Sequence, residues 1–117
     1  MIYHLAQKAY WEPAKRSGLY TGGPADVRDG FIHFSSNTHI KTSASLYCKG
    51  LMDLMLVAVK SEKLGPILKW ESSRDGIFFP HLYGSLDTTL VEWTKLLTLG
   101  KDGRHKFPPL DLSLIHI

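Results

Sequence analysis

The chain has 117 residues, 44% hydrophobic and 21% charged, with a formal net charge of +3. That is enough for one domain around one core, with the composition of a soluble globular protein. No apolar run approaches the ~20 residues of a membrane span, and the start lacks the basic leader of a secretory signal. The single cysteine, Cys48, excludes a disulfide framework and fits a reducing cytoplasm. The basic residues are scattered, so no nucleic-acid partner is expected, although a mild surplus suits an anionic small ligand such as a nucleotide.

Residues 1–6 (Met-Ile-Tyr-His-Leu-Ala) read as a strand with Ile2 and His4 on one face and Tyr3 and Leu5 on the other. Residues 8–17 read as a helix stopped by Gly18, with Tyr10 and Trp11 in the core. Pro13 is tolerable only in a first turn, so the regular helix is expected to begin near Trp11 or Glu12. A Gly-, Pro- and Asp-rich connection follows over 18–30, in which Pro24 to Arg28 can make one helical turn. It lacks the glycine spacing of a phosphate cradle.

The stretch Asp29-Gly30-Phe31-Ile32-His33-Phe34-Ser35-Ser36 is the centre of the chain. Asp-Gly marks a turn, strand residues follow, and Ser-Ser-Asn suits a helix start. Alternation points Phe31 and His33 one way and Ile32 and Phe34 the other. His33 is thus either a buried ring bonded to a carbonyl or part of a polar site. Residues 37–48 read as a helix with a buried stripe of Ile40, Ala44, Tyr47 and Cys48, which makes Cys48 an inert core thiol. His39, in its first turn, is expected to be exposed.

Residues 51–60 form the clearest strand, and its run Leu54 to Val59 predicts a central strand covered on both faces. Residues 67–71 form another, with Leu68 and Trp70 sharing a face. The stretch Ile77-Phe-Phe-Pro-His-Leu-Tyr-Gly84 surrounds His81 with aromatic and apolar residues. It is either an aromatic core segment or a site. Residues 89–98 form the last long strand, with Val91, Trp93 and Lys95 on one face and Glu92 in solvent. Two prolines close the domain at about residue 109, and residues 110–117 read as an edge strand or a foreign tail. Helices early and strands late predict a small single α+β domain with two helices near the N-terminus.

The chain has no GxSxG, HExxH or CxxC, and Glu12, Glu71 and Glu92 are too far apart in sequence to suggest an acid/base pair. What remains is three histidines in apolar surroundings: His4, His33 and His81. If the first two strands are neighbours these can converge. They would then bind a polar ligand and move protons near neutral pH, or hold zinc in a hydrolase, a reading the spacing does not favour.

Several stretches together resemble one family: Ile2-Tyr-His4, Asp29-Gly-Phe-Ile-His33-Phe-Ser35, Leu54 to Val59, Leu68-Lys-Trp-Glu71, Phe79-Pro-His81-Leu-Tyr-Gly84 and Asp102-Gly-Arg-His-Lys-Phe-Pro108. They are similar to the small bacterial domain-of-unknown-function-952 family. That family resembles the ADP-ribosyltransferase superfamily in fold, a split α+β domain with NAD in a cleft between two small sheets. The resemblance implies that His4 contacts the ribose and that His33 stands where a nicotinamide-stacking Tyr is usual. The third-motif Glu has no clear counterpart; His81 falls nearest, and Glu71 is the other candidate. His4, His33 and His81 are therefore the expected catalytic set, with Tyr3, Ser35, Glu71 and Tyr83 as supporting nucleotide-binding residues and no metal. The expected function is binding of NAD, ADP-ribose or a related nucleotide, with ADP-ribosyl transfer or NAD glycohydrolysis as the associated reaction. A non-catalytic binding module is the alternative.

Overall fold

The computed structural model describes residues 1–110. The expectation for the tail lies, apart from Leu110, outside the described residues. In chain order the elements are β1 (Ile2–Gln7), α1 (Lys8–Ser17), β2 (Leu19–Tyr20), α2 (Pro24–Asp29), β3 (Ile32–His33), β4 (Ser35–Ser36), α3 (Ile40–Tyr47), β5 (Leu54–Val59), β6 (Leu68–Ser72), β7 (Phe78–Leu82), β8 (Leu86–Asp87) and β9 (Val91–Leu97). The fold is α+β, with antiparallel sheets of order β4-β1-β5-β9, β3-β7-β6 and β2-β8.

The apolar run of β5 is buried because it sits between β1 and β9 with a core on each side. Val57 and Val59 face one cluster with Ile2, Ala6, Trp11, Tyr20, Ile32, Phe34 and Leu82. Leu54, Leu56 and Ala58 face the other, with Tyr3, Ile40 and Leu97. Strand alternation alone produces this division, and each Val, Leu, Ile or Phe among them contributes about 1.5–3 kcal/mol on burial. Helix α1 and the two smaller sheets cover the first face, and α3 covers the second. The Tyr3 hydroxyl donates to the Leu110 carbonyl at 3.1 Å, which ties the end of the described chain to the second core.

Four sequence expectations are corrected. Helix α1 begins at Lys8 despite Pro13 at its middle. One backbone bond is forfeited there, but Trp11 and Ala14 are buried on its inner face and hold it. Tyr10 is 43% exposed and Tyr47 69% exposed, so neither is core. His39 is half-buried, tilted against the Phe79 ring at 5.6 Å. In β9 the register shifts between Ala58 and Val59, so Val59 faces Val91 while Ala58 faces Trp93. Glu92 is the extra residue of this bulge, and Val91 and Trp93 consequently pack on opposite cores.

Pro80 lies within β7, the middle strand of its sheet. Its carbonyl accepts from the Phe34 N–H at 3.0 Å, beyond the short pairing with β3. In an antiparallel strand a residue's N–H and C=O point to the same neighbour. The missing donor therefore faces that same irregular side, and no bond to β6 is lost.

Candidate functional site

Strand β4 pairs only Ile2 and Tyr3 of β1. Beyond that short pairing the edge of β1 opens onto a cleft of about 420 Å³, bordered by Leu5 and Gln7. Such a volume lies in the range of small-molecule sites. His4, His33, His81, Tyr3 and Ser35 all line it. Glu71 and Tyr83 do not; they stand behind His81 and reach the cleft only through it.

The three histidines do not share one role. His4 is 3% exposed. Its Nδ1–H donates to the His33 carbonyl at 2.6 Å, which leaves Nε2 to accept from the Tyr20 hydroxyl at 2.7 Å. Burial pushes its pKa down against the pull of Asp26, so the ring is neutral. Both nitrogens are therefore committed to holding β1, β2 and β3 together. Burial and the nearby Asp26 push the Tyr20 hydroxyl up, which keeps it a donor.

His33 lies between two carboxylates. Its Nδ1 meets Asp26 Oδ1 at 2.6 Å and its Nε2 meets Asp29 Oδ2 at 2.9 Å. The hydrogen bond to Asp26 raises its pKa against partial burial, and Asp29 adds to the rise. The carboxylates thus favour the imidazolium, in which both N–H groups are used and only the ring face is left to a ligand. Asp26 also accepts from the backbone N–H of His33 at 3.0 Å and of Gly23 at 2.7 Å. Burial works to raise the Asp26 pKa, but the bonds from His33 and Gly23 outweigh it and the carboxyl is held below its ordinary range.

His81 is the one with a nitrogen to spare. Its Nδ1–H donates to Glu71 Oε1 at 2.8 Å, and the Tyr83 hydroxyl donates to the same oxygen at 2.6 Å. The Tyr83 bond first, and then the His81 bond, hold Glu71 below the ordinary carboxylate range. Nε2 of His81 has no hydrogen-bond partner among the described residues. Phe31 stacks on this ring at 4.0 Å and touches His33 at 4.6 Å and Tyr83 at 5.3 Å, which fixes their spacing. No group of three or more His, Cys, Asp or Glu among the described residues is placed to hold a metal ion.

Sequence reasoning missed Asp26, Asp29, Tyr20 and Phe31. The signal for Asp29 was its i, i+4 spacing to His33, masked by its role in the Asp-Gly turn. Asp26 gave no signal, because its contact with His33 depends on α2 folding back over β3. The far end of the cleft is apolar, with Tyr10, Tyr47, Cys48, Leu51 and Leu54.

The family model described as "Protein of unknown function (DUF952)" matches residues 5–94. The chain belongs to this family. It is similar to protein CC0527 of Caulobacter crescentus, whose X-ray structure is 40% identical with a TM-score of 0.87 and covers 90% of this chain and 92% of that one. A double mutant of CC0527 gives 39% identity and the same TM-score of 0.87, again over 90% of this chain and 92% of that one. The solution NMR structure of CC0527 gives 41% identity and a TM-score of 0.79, over 88% of this chain and 89% of that one. Among curated proteins none matches. These relatives agree on the fold and carry no activity in their descriptions. No helix among the described residues is long and apolar enough to cross a membrane.

Proposed function

We propose that this DUF952 domain is a small cytoplasmic protein that binds a nucleotide of the NAD or ADP-ribose class in the histidine-lined cleft, with cleavage of the nicotinamide–ribose bond as its chemistry. The likeness of its first two motifs to those of the ADP-ribosyltransferase superfamily supports the ligand class. The observation that carries the chemistry is His81, which has Nδ1 anchored on Glu71 and Nε2 without a partner on the wall of a 420 Å³ cleft. That is the arrangement of a general base oriented by a carboxylate.

In a glycohydrolase step the C–N bond breaks and its electron pair leaves with neutral nicotinamide, which needs no acid. Water adds to the oxocarbenium-like sugar and gives its proton to His81 Nε2. Glu71 balances the imidazolium so formed. Asp26 supplies a carboxylate on the cleft wall, and its pairing with His33 weakens what it offers to the sugar cation, so turnover is slow. Ser35 and the ring face of His33 contact the ligand, while Tyr3 and His4 shape the floor.

The test is an amide and imidazole NMR titration of the full chain with NAD, with ADP-ribose as control and nicotinamide release followed in the same tube. Shifts at His33, Ser35 and His81 with release that His81→Gln cuts at least ~100-fold are expected. No shifts at millimolar nucleotide refutes the reading. A non-catalytic module is the second reading, favoured by the full commitment of both nitrogens of His4 and of His33. It predicts the shifts without release.

A further inference from the structure

We propose that α2 is a hinged wall of this cleft, latched in place by the His33 side chain bridging Asp26 and Asp29. A helix in a small domain is ordinarily held by an apolar face. Of the six residues of α2 only Asp26 is buried, and Val27 is 67% exposed. Its attachment is thus polar. It rests on the Asp26 carboxylate, which takes the His33 backbone and ring N–H, and on Asp29, which takes the other ring N–H.

Both ends of α2 are glycine. Gly22 has φ +98° and Gly30 has φ +84°, conformations open to glycine at little cost. At Gly22 a Cβ would stand 2.5 Å from the Asp26 Cβ. These are the positions at which the segment can turn as a unit, as hinges require. Gly23, Pro24, Ala25, Asp26, Arg28 and Asp29 line the cleft, so movement of α2 changes its width directly.

The latch depends on the charge of one ring. As imidazolium, His33 donates to both carboxylates. As neutral imidazole it keeps one N–H and turns a lone pair toward the other carboxylate, so one strap opens. The groups that face it are few. On α2 they are Asp26 and Asp29, the latter also bound by the Arg28 guanidinium at 2.9 Å. From β1, neutral His4 donates to the His33 carbonyl. From β7, the His81 ring approaches edge-on at 6.0 Å, with Glu71 of β6 behind it. The two aspartates are nearest and dominate. Because the His33 pKa is raised, both straps are in place at pH 6, and one opens as pH rises through the raised pKa.

The experiment needs no ligand, so its outcome is separable from that of the nucleotide titration. In the full-length 15N-labelled protein the His33 imidazole is titrated, and exchange protection is measured at pH 6 and pH 9 for the His33 backbone amide, whose bond to Asp26 Oδ1 joins β3 to α2. Protection is expected to fall about ten-fold on loss of one charge-assisted bond. The amides of Gly18 on α1 and Cys48 on α3 serve as controls and are expected to keep theirs. Asp29→Asn, at an exposed carboxylate, should lower the His33 midpoint and give the weakened protection already at pH 6. Equal protection of the His33 amide at both pH values while the His33 ring titrates overturns the latch. So does an equal loss at the Gly18 and Cys48 amides, or an Asp29→Asn variant indistinguishable from the parent.

Discussion

Replacing Asp26 with alanine removes the acceptor of three hydrogen bonds at a side chain only 8% exposed. The charge-assisted bond from the His33 ring is of the kind that contributes ~1.5–3 kcal/mol. The backbone N–H groups of Gly23 and His33 are stranded as well, at ~1 kcal/mol or more each. His33 is itself 40% exposed, so water recovers part of its loss. The expected net destabilisation is about 3 kcal/mol, or about 10 °C in Tm for a domain of this size. Asp26→Asn keeps an acceptor and should lose about half as much. Urea unfolding followed by circular dichroism at pH 6 reads both, with an unchanged m-value as the sign that only the native state is affected. The depressed Asp26 pKa adds a second signature. Its contribution is complete above the ordinary aspartate pKa and disappears as pH falls through the folded value, so parent and variant should converge in acid. A loss under ~1 kcal/mol at pH 6, or no convergence, refutes the view that this carboxylate pins α2 to β3.

Two further outcomes are expected. Tyr20→Phe leaves the Nε2 of buried His4 without its donor and should cost about 1–2 kcal/mol in thermal or urea unfolding; an unchanged Tm would mean that the bond contributes nothing net. Cys48 is half-buried with its thiol pKa pushed up by that burial, so alkylation by iodoacetamide at pH 7.5 should run about ten-fold slower than with free cysteine. Equal rates would show the cleft wall there to be open.

Much of the fold was legible because it follows from alternation. The run Leu54 to Val59 announced a strand buried on both faces, and the opposed pairs Ile32/Phe34 and Phe31/His33 appeared as expected: Ile32 and Phe34 are core, whereas Phe31 and His33 are half-buried at the site. The failures also share causes. Tyr10 and Tyr47 fit helical stripes, yet both line the cleft, and an aromatic at a site has the same periodicity as one in a core. The bulge at Glu92 inverted the facing of Val91, and a single inserted residue leaves no mark in composition. At the site, the three histidines were visible as polar residues in apolar strands. Their division into a neutral strut, a paired cation and a ring with a free nitrogen was not, because it depends on Tyr20, Asp26 and Glu71, brought to them by tertiary folding.

The position of the cleft follows from two short pairings. Strand β4 begins only at Ser35, opposite Tyr3, so β1 has no neighbour on that edge from His4 onward. Strand β3 ends at His33, so β7 is paired over only two residues on that side. A regular continuation of either would have filled the gap with backbone. The chain instead turns twice within six residues, at Gly30 and at Phe34, whose N–H bonds the Pro80 carbonyl rather than a ladder partner. The resulting gap would ordinarily cost cohesion. Buried polar groups must be satisfied or they destabilise, and here the His4–Tyr20, Asp26–His33–Asp29 and Glu71–His81–Tyr83 sets carry that function. The bonds that compensate for the missing strand pairing are therefore the same bonds that decide which nitrogen is offered to a ligand.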